Sequence, residues 1–243
     1  MSIKLPIYLD NNATTLVDPR VVEAMMPYFT EKYGNYSSKH KFGYEAHSAV
    51  EFAREQIAKL INANPDEIIF TSGATESINL AHIGFAIANQ SKGKHIISSL
   101  VEHSASNESL QFLSKVGFEV TFIKPDKYGK IDPDEVIKNV KKETILISLI
   151  YANNEIGTIT DLQHITDFCN KEKIVFHTDA TQAIGKIKID VRELKPSMMS
   201  FTAHKIYGPK GIGALLINSN SFKFNLSPLI FGGNQENSLR SGT

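Results

Sequence analysis

The stretch SFTAHKIYGPKGIG, Ser200–Gly213, decides how the chain folds. It opens in an apolar run, Met198–Phe201, that reads as the end of a β-strand, and it closes where a second β-rich run, Ile212–Ile217, begins. Between them, Ala203–Gly211 is too short and too glycine-rich to hold a crossover helix, which a parallel connection needs. The last strand is therefore expected to run antiparallel to its predecessor. Lys205 sits on this connection, with glycines and a proline behind it, so it occupies a loop and not a solvated helix face. A lysine held this way can lose its water, which lowers its pKa and frees the amine to attack a carbonyl.

Further β-rich runs lie upstream at Glu67–Thr71, Lys94–Ser99, Phe118–Ile123, Thr144–Tyr151, Lys173–Thr178 and Met198–Thr202. Several are almost continuously apolar, as parallel strands covered on both faces must be. Segments with helical spacing separate most of them. Ala46, Ala49, Val50, Ala53, Ile57, Leu60 and Ile61 make one apolar stripe, which stops before Asn64-Pro65. A helix is expected over Thr75–Ala88, and Asp132-Pro133 reads as an N-cap followed by proline at the first helical position. The run ATQAIG after Asp179 also looks like a helix start. This alternation predicts an α/β fold: a mostly parallel seven-stranded sheet with helices on both faces and the last strand antiparallel.

The bulk composition excludes several classes. The 243 residues carry 26 Lys and Arg against 26 Asp and Glu, so no bulk field favours a nucleic acid or an anionic membrane. The N-terminal run MSIKLPIYLD is interrupted by lysine and proline and does not read as a signal peptide. No apolar stretch is long enough to span a bilayer. A cytoplasmic location is the expectation. The single cysteine, Cys169, lies in the helical segment DLQHITDFCNKEK and reads as a small buried hydrophobe. One cysteine rules out an internal disulfide and any multi-cysteine zinc site, and no metal site is expected.

Open α/β sheets bind ligands beyond the carboxyl ends of their strands. The distinctive polar residues fall there: TSGATES, then Glu102-His103, NNEIG, HTDATQ and TAHK. Ser72-Gly73-Ala74-Thr75 opens a helix and can cradle an anion, or can simply be a helix start capped by threonine. No lysine follows its glycine, so it is not a P-loop, and no G-x-G-x-x-G follows a strand. His103 can stack on a planar ring and shuttle protons, or cap the next helix. Asn154 and Gln182 can donate to a ring oxygen or tie loops together. Thr202 and His204 can bind phosphate or shape their turn. A lysine for a covalent tether and a strand-end aspartate, Asp179, for a ring nitrogen are the pair that pyridoxal phosphate requires.

The order of these motifs resembles a known family. IYLDNNATT (Ile7–Thr15), YGNYSS (Tyr33–Ser38), FTSGATES (Phe70–Ser77), Glu102-His103, NNEIG (Asn153–Gly157), HTDATQAIGK (His177–Lys186), AHKIYGPKGIGAL (Ala203–Leu215) and LRSGT (Leu239–Thr243) are similar to those of the cysteine desulfurases. These are fold type I pyridoxal-phosphate enzymes of the class V aminotransferase group. The resemblance implies that Lys205 carries the cofactor, and that His103 stacks on its ring and assists proton transfer. It implies that Asp179 pairs with the ring nitrogen and Gln182 holds the phenolate oxygen. Thr75, Thr202 and His204, with the Ala74–Thr75 backbone, would bind the phosphate. Asn154 would lie near the ring and the substrate carboxylate, with Asn35 helping there. Thr243 would reach the phosphate of the neighbouring subunit, because the family forms homodimers with shared sites.

Family members continue past the R-S-G-T motif into a smaller C-terminal domain with the sulfur-accepting cysteine. The expected organisation is an N-terminal segment over residues 1–15 and a cofactor-binding large domain over 16–243, without that smaller domain. The implied activity is conversion of L-cysteine to alanine and a persulfide that feeds sulfur-acceptor and iron–sulfur scaffold proteins. The 243 residues alone are expected to be inactive, since Cys169 matches no family nucleophile. A selenocysteine lyase or another class V aminotransferase is an alternative. So is a non-catalytic dimerisation or scaffold-binding role.

Overall fold

The structure, a computed structural model, describes residues 6–243; residues 1–5 of the expected N-terminal segment lie outside the described residues. One sheet holds β1 (Ile68–Thr71), β2 (His95–Ser99), β3 (Glu119–Ile123), β4 (Thr144–Ile150), β5 (Val175–Asp179), β6 (Met198–Thr202) and β7 (Gly213–Ile217). The strand order is β1-β7-β6-β5-β4-β2-β3. β7 is antiparallel to both β1 and β6, and the remaining pairs are parallel. The short β6–β7 connection closes as its length requires. The Ala203 N–H donates to Ile212 O at 3.1 Å, and the Thr202 hydroxyl donates to the same oxygen at 3.1 Å.

Period-two alternation sends neighbouring strand residues to opposite faces. Ile96, Leu146, Val175, Met198 and Leu215 pack in one core with Leu80, Phe85, Leu110 and Leu113. Those last four belong to the π-helical turn Leu80–Gly84, α5 (Phe85–Asn89) and α6 (Ser104–Lys115). Ile97, Ile147 and Phe176 face the other way. They pack with Val136 of α7 (Pro133–Lys138) and with Leu162, Ile165 and Cys169 of α8 (Leu162–Glu172). On that same side Met199, Ala214 and Leu216 meet Ala58 of α3 (Lys41–Leu60). Both faces are covered, which is why the strands read as continuous apolar runs. Short helices α1 (Pro19–Met25) and α2 (Pro27–Thr30) precede α3, and α9 (Val191–Leu194) precedes β6.

Three local expectations change. The helix after β1 starts as α4 (Ala74–Asn79) and runs through the π turn into α5, so it is not a plain α-helix. A Cβ on Gly84 in that turn would lie 2.5 Å from Ser227 O, so the outer chain packs directly on this backbone. The N-cap of α4 is Gly73, not Thr75, and Ser72 N–H donates instead to Glu76 Oε2 at 2.7 Å. ATQAIG forms separate turns and no helix: Ile184 bonds back to Ala180 O and Ile187 to Ala183 O, with Gly185 between them at φ 69°. A left-handed residue there breaks any continuous helical ladder.

Candidate active site

A cavity of about 360 Å³ opens beyond the carboxyl ends of β4, β5 and β6, where Ile150, Asp179 and Thr202 line it. Ala74 and Thr75 enter from the start of α4, and His103 from the cap of α6. Asn154, Gln182, His204 and Lys205 complete the wall. Nine residues proposed from the sequence thus share one cavity. Asn35 and Thr243 do not line it. They meet each other, with Asn35 Nδ2 donating to Thr243 Oγ1 at 3.1 Å, and both are exposed.

β5 delivers Asp179 on the same face as His177, two residues earlier, beneath α4 and α6. Its Oδ1 accepts the Thr181 N–H at 2.9 Å. Burial pushes its pKa above the usual carboxylate range, against the pull of Thr181, His103 and Lys205. Buried Thr181 Oγ1 at this wall has no hydrogen-bond partner among the described residues. A buried carboxyl beside an unpartnered hydroxyl fits a cationic, hydrogen-bonding ligand atom.

His103 caps α6 through its ring: Nδ1 accepts the Ala105 N–H at 3.2 Å. The neutral ring therefore carries its proton on Nε2. The capping reading and the cavity reading both hold for this residue.

Lys205 ends a single 3₁₀ turn, Ala203–Lys205, and is half-buried. Burial holds its amine below the usual lysine range, while Asp10, Asp179 and Glu155 pull it back up. Its Nζ donates to Asn12 O and, at 2.8 Å, to Ala13 O. His204 Nδ1 lies 3.1 Å from Thr14 Oγ1. Burial, then the charges of Lys205 and Lys210, push His204 below its ordinary value.

These contacts expose a part of the site that sequence reasoning missed. The segment Asn12–Thr15 is a strap that lies against Gln182, His204 and Lys205 of the cavity wall. Gln182 Nε2 donates to Asn12 O at 2.9 Å, and the Thr15 hydroxyl donates to His204 O at 3.0 Å. The signal was present as the polar run DNNATT, but nothing in it says which carbonyls point inward. Glu102, the other member of the Glu102-His103 motif, is buried and does not line the cavity.

The donor set suits a phosphorylated ring. The Thr75 hydroxyl, the His204 ring and the first amides of α4 line the cavity as an anion needs, together with Thr202, whose hydroxyl hydrogen goes to Ile212 O. Space there is tight: a Cβ on Gly213 would lie 2.6 Å from Gly73 Cα, so β7 lies directly against the cradle. The Lys205, Asp179 and His103 side chains line the same cavity. Among the described residues no cluster of histidine, cysteine and carboxylate side chains is set to hold a metal.

The model of the aminotransferase class-V family matches residues 7–243. The chain belongs to that family. Among class-V relatives, the cysteine desulfurase IscS of Dictyoglomus turgidum is 52% identical over 241 residues, covering 99% of this chain and 60% of the relative. A solved NifS-like protein superposes with a TM-score of 0.93 at 43% identity, over 98% of this chain and 65% of its own. A structure described as SspA in complex with cysteine superposes equally well, TM-score 0.93 at 40% identity, over 97% of this chain and 68% of that one. The chain spans about 60% of the length of the curated class-V relatives it matches. Among the described residues no helix is long and apolar enough to cross a membrane.

Proposed function

We propose that these residues form the cofactor-binding part of a pyridoxal-phosphate-dependent cysteine desulfurase. The observation that carries this reading is that the Lys205 amine and the Asp179 carboxyl line one cavity with His103 and an anion cradle. The class V family is pyridoxal-phosphate dependent, and the similar desulfurases and the cysteine complex of SspA support L-cysteine as substrate. When bound, pyridoxal phosphate supplies an aldehyde for the lysine and a ring that takes up the electrons of a carbon–hydrogen bond.

The chain's own residues divide the remaining work. Lys205 Nζ, kept below its ordinary pKa by burial, is the amine that binds the aldehyde and can later accept a proton. Asp179, buried at the end of β5, would hold the ring nitrogen. His103 keeps its own proton on Nε2, available at the cavity wall. Thr75 and His204 would orient the phosphate with the first amides of α4, and Thr202 would join them by turning its hydroxyl from Ile212 O. Gln182 donates to the phenolate oxygen. Asn154 serves the substrate carboxylate, and Asn35, which lies off this cavity against Thr243, reaches such a carboxylate only at the partner's site. Thr243, which lies off its own cavity, serves the site of the partner in a homodimer.

The persulfide step needs an accessible thiolate, and a sulfur-acceptor or iron–sulfur scaffold protein takes the product onward. Cys169 does not meet that need: it is buried and its thiol is pushed up to about 12 by burial. The 243 residues alone are therefore expected to release negligible alanine from L-cysteine.

A gel-filtered sample incubated with pyridoxal phosphate tests the reading. Wild type should keep a visible absorbance band, and Lys205→Ala should lose it. A colourless wild type, or equal colour in both proteins, would sink the cofactor assignment. Rapid alanine release by wild type would refute the inactivity.

A further inference from the structure

Lys186 is the last residue of HTDATQAIGK and has no part in the site as described so far. It stands four residues after Gln182 on the broken turn that follows β5. Its Nζ donates to Gln182 Oε1. We propose that Lys186 is a positioning residue that fixes which way the Gln182 carboxamide points. This rests on the cofactor reading above only for what the amide then binds.

The argument is one of donors and acceptors. An ammonium group has three donors and no acceptor, so the amide atom facing Lys186 must be the carbonyl oxygen. The NH₂ end is then turned toward the strap and the cavity. Asn12 O accepts one of its hydrogens at 2.9 Å, which leaves the second free. Gln182 is buried and lines the cavity, so an amide with its oxygen unpaired there would be costly. With the reverse orientation, a carbonyl oxygen would face the cavity and repel a phenolate.

Two partners hold this orientation, and they differ in kind. Asn12 belongs to the irregular strap, whose carbonyl is also taken by Lys205. When the Lys205 amine is engaged elsewhere, the strap loses that tie. Lys186 shares the turn with Gln182 and does not depend on the strap. Lys186 is exposed overall, yet its ammonium reaches the Gln182 carboxamide within the field of Lys205. Burial and the charge of Lys205 both lower its pKa, so the contact forms against two unfavourable effects. A lysine on an open surface has no reason to adopt that position without an acceptor to reach.

The test reads the amide first and the cofactor second. The full chain, labelled with ¹⁵N-glutamine and free of cofactor, gives side-chain amide resonances, and Gln182→Leu identifies the one in question. Lys186→Met should move that pair toward free-amide positions, and Lys186→Arg should restore it. Unmoved Gln182 resonances in Lys186→Met overturn the proposal, whatever the cofactor does. Pyridoxal phosphate affinity should then fall about tenfold in Lys186→Met and recover in Lys186→Arg. In a Gln182→Leu background Lys186→Met should cost nothing further, and an equal loss there overturns action through Gln182. If Lys186→Met moves the resonance and the wild type takes up no cofactor, the positioning stands and the functional reading fails instead.

Discussion

Glu102 is a carboxyl group placed where almost no water reaches it. Its Oε1 accepts from the Ser99 hydroxyl at 2.5 Å and from the Ile150 N–H at 3.0 Å, while Oε2 has no partner among the described residues. Burial pushes its pKa up to about 8, against the two hydrogen bonds to Oε1, and the nearby Asp179 adds to the rise. The group is thus neutral at neutral pH and bridges the ends of β2 and β4 beside His103. The sign of its linkage follows. Below about pH 4.5 it is protonated both folded and unfolded, so it has no effect on the pH slope. Between there and about pH 8 the folded chain holds one more proton than the unfolded one, so stability falls as pH rises. Glu102→Gln removes that proton. The variant should gain on wild type by about 1 kcal/mol per pH unit across this window, read from urea midpoints at several pH values. Parallel curves for the two proteins would mean that Glu102 is ionised in the fold.

Five elements are laced by one buried polar chain on the cavity side of the sheet. The Ser109 hydroxyl of α6 donates to Ser106 O at 2.9 Å, which uses its only hydrogen. His82 Nδ1, 2.7 Å away, must then donate to it. His82 Nε2 accepts from Ser148 of β4 at 2.7 Å, so Ser148 in turn accepts from His177 Nδ1 of β5 at 2.8 Å. His177 Nε2 finally accepts from Ser200 of β6 at 2.8 Å. One direction satisfies every atom, and both rings must be neutral. Burial enforces that state: His82 is pushed down to about 3, and His177 falls well below the usual range through burial and then His82. The π turn holds His82, so the helix behind the anion cradle is tied to the strands that carry Asp179 and Thr202. Ser148→Ala should strand one nitrogen on each ring and cost about 2–4 kcal/mol in urea unfolding. A cost below about 0.5 kcal/mol would show that the rings find other partners.

The architecture was readable because its signals are local. Ile96-Ile97, Leu146-Ile147 and Met198-Met199 are adjacent apolar pairs, and only a strand covered on both faces buries both members. The length of Ala203–Gly211 alone made β7 antiparallel. Lys205, Asp179 and His103 were legible because strand ends collect at one edge of such a sheet. What stayed hidden depends on contacts far apart in sequence, such as Asn12 with Lys205, or on one φ value, as at Gly185. The pair that closes the molecule is of that kind. Arg54 in α3 binds Glu236 through both guanidinium ends, at 2.8 and 2.7 Å, and also donates to Ile68 O. Glu236 Oε2 accepts the Phe70 N–H of β1 at 2.7 Å. Glu236, Asn237 and Ser238 all have left-handed φ, 48°, 55° and 62°, at about 1–2 kcal/mol each, so this turn needs an external hold. A second tie, Arg240 Nε to Glu76 Oε1 at 3.1 Å, joins the same segment to the start of α4. Arg54→Met leaves a buried carboxylate without its cation and should destabilise the chain by about 3–5 kcal/mol. Hydrogen exchange should quicken at Phe70 and through residues 230–243, which carry Thr243. Adding Glu236→Gln removes the stranded charge and should recover part of the loss. A variant within about 1 kcal/mol of wild type, with exchange unchanged, would show that the segment is held without this pair.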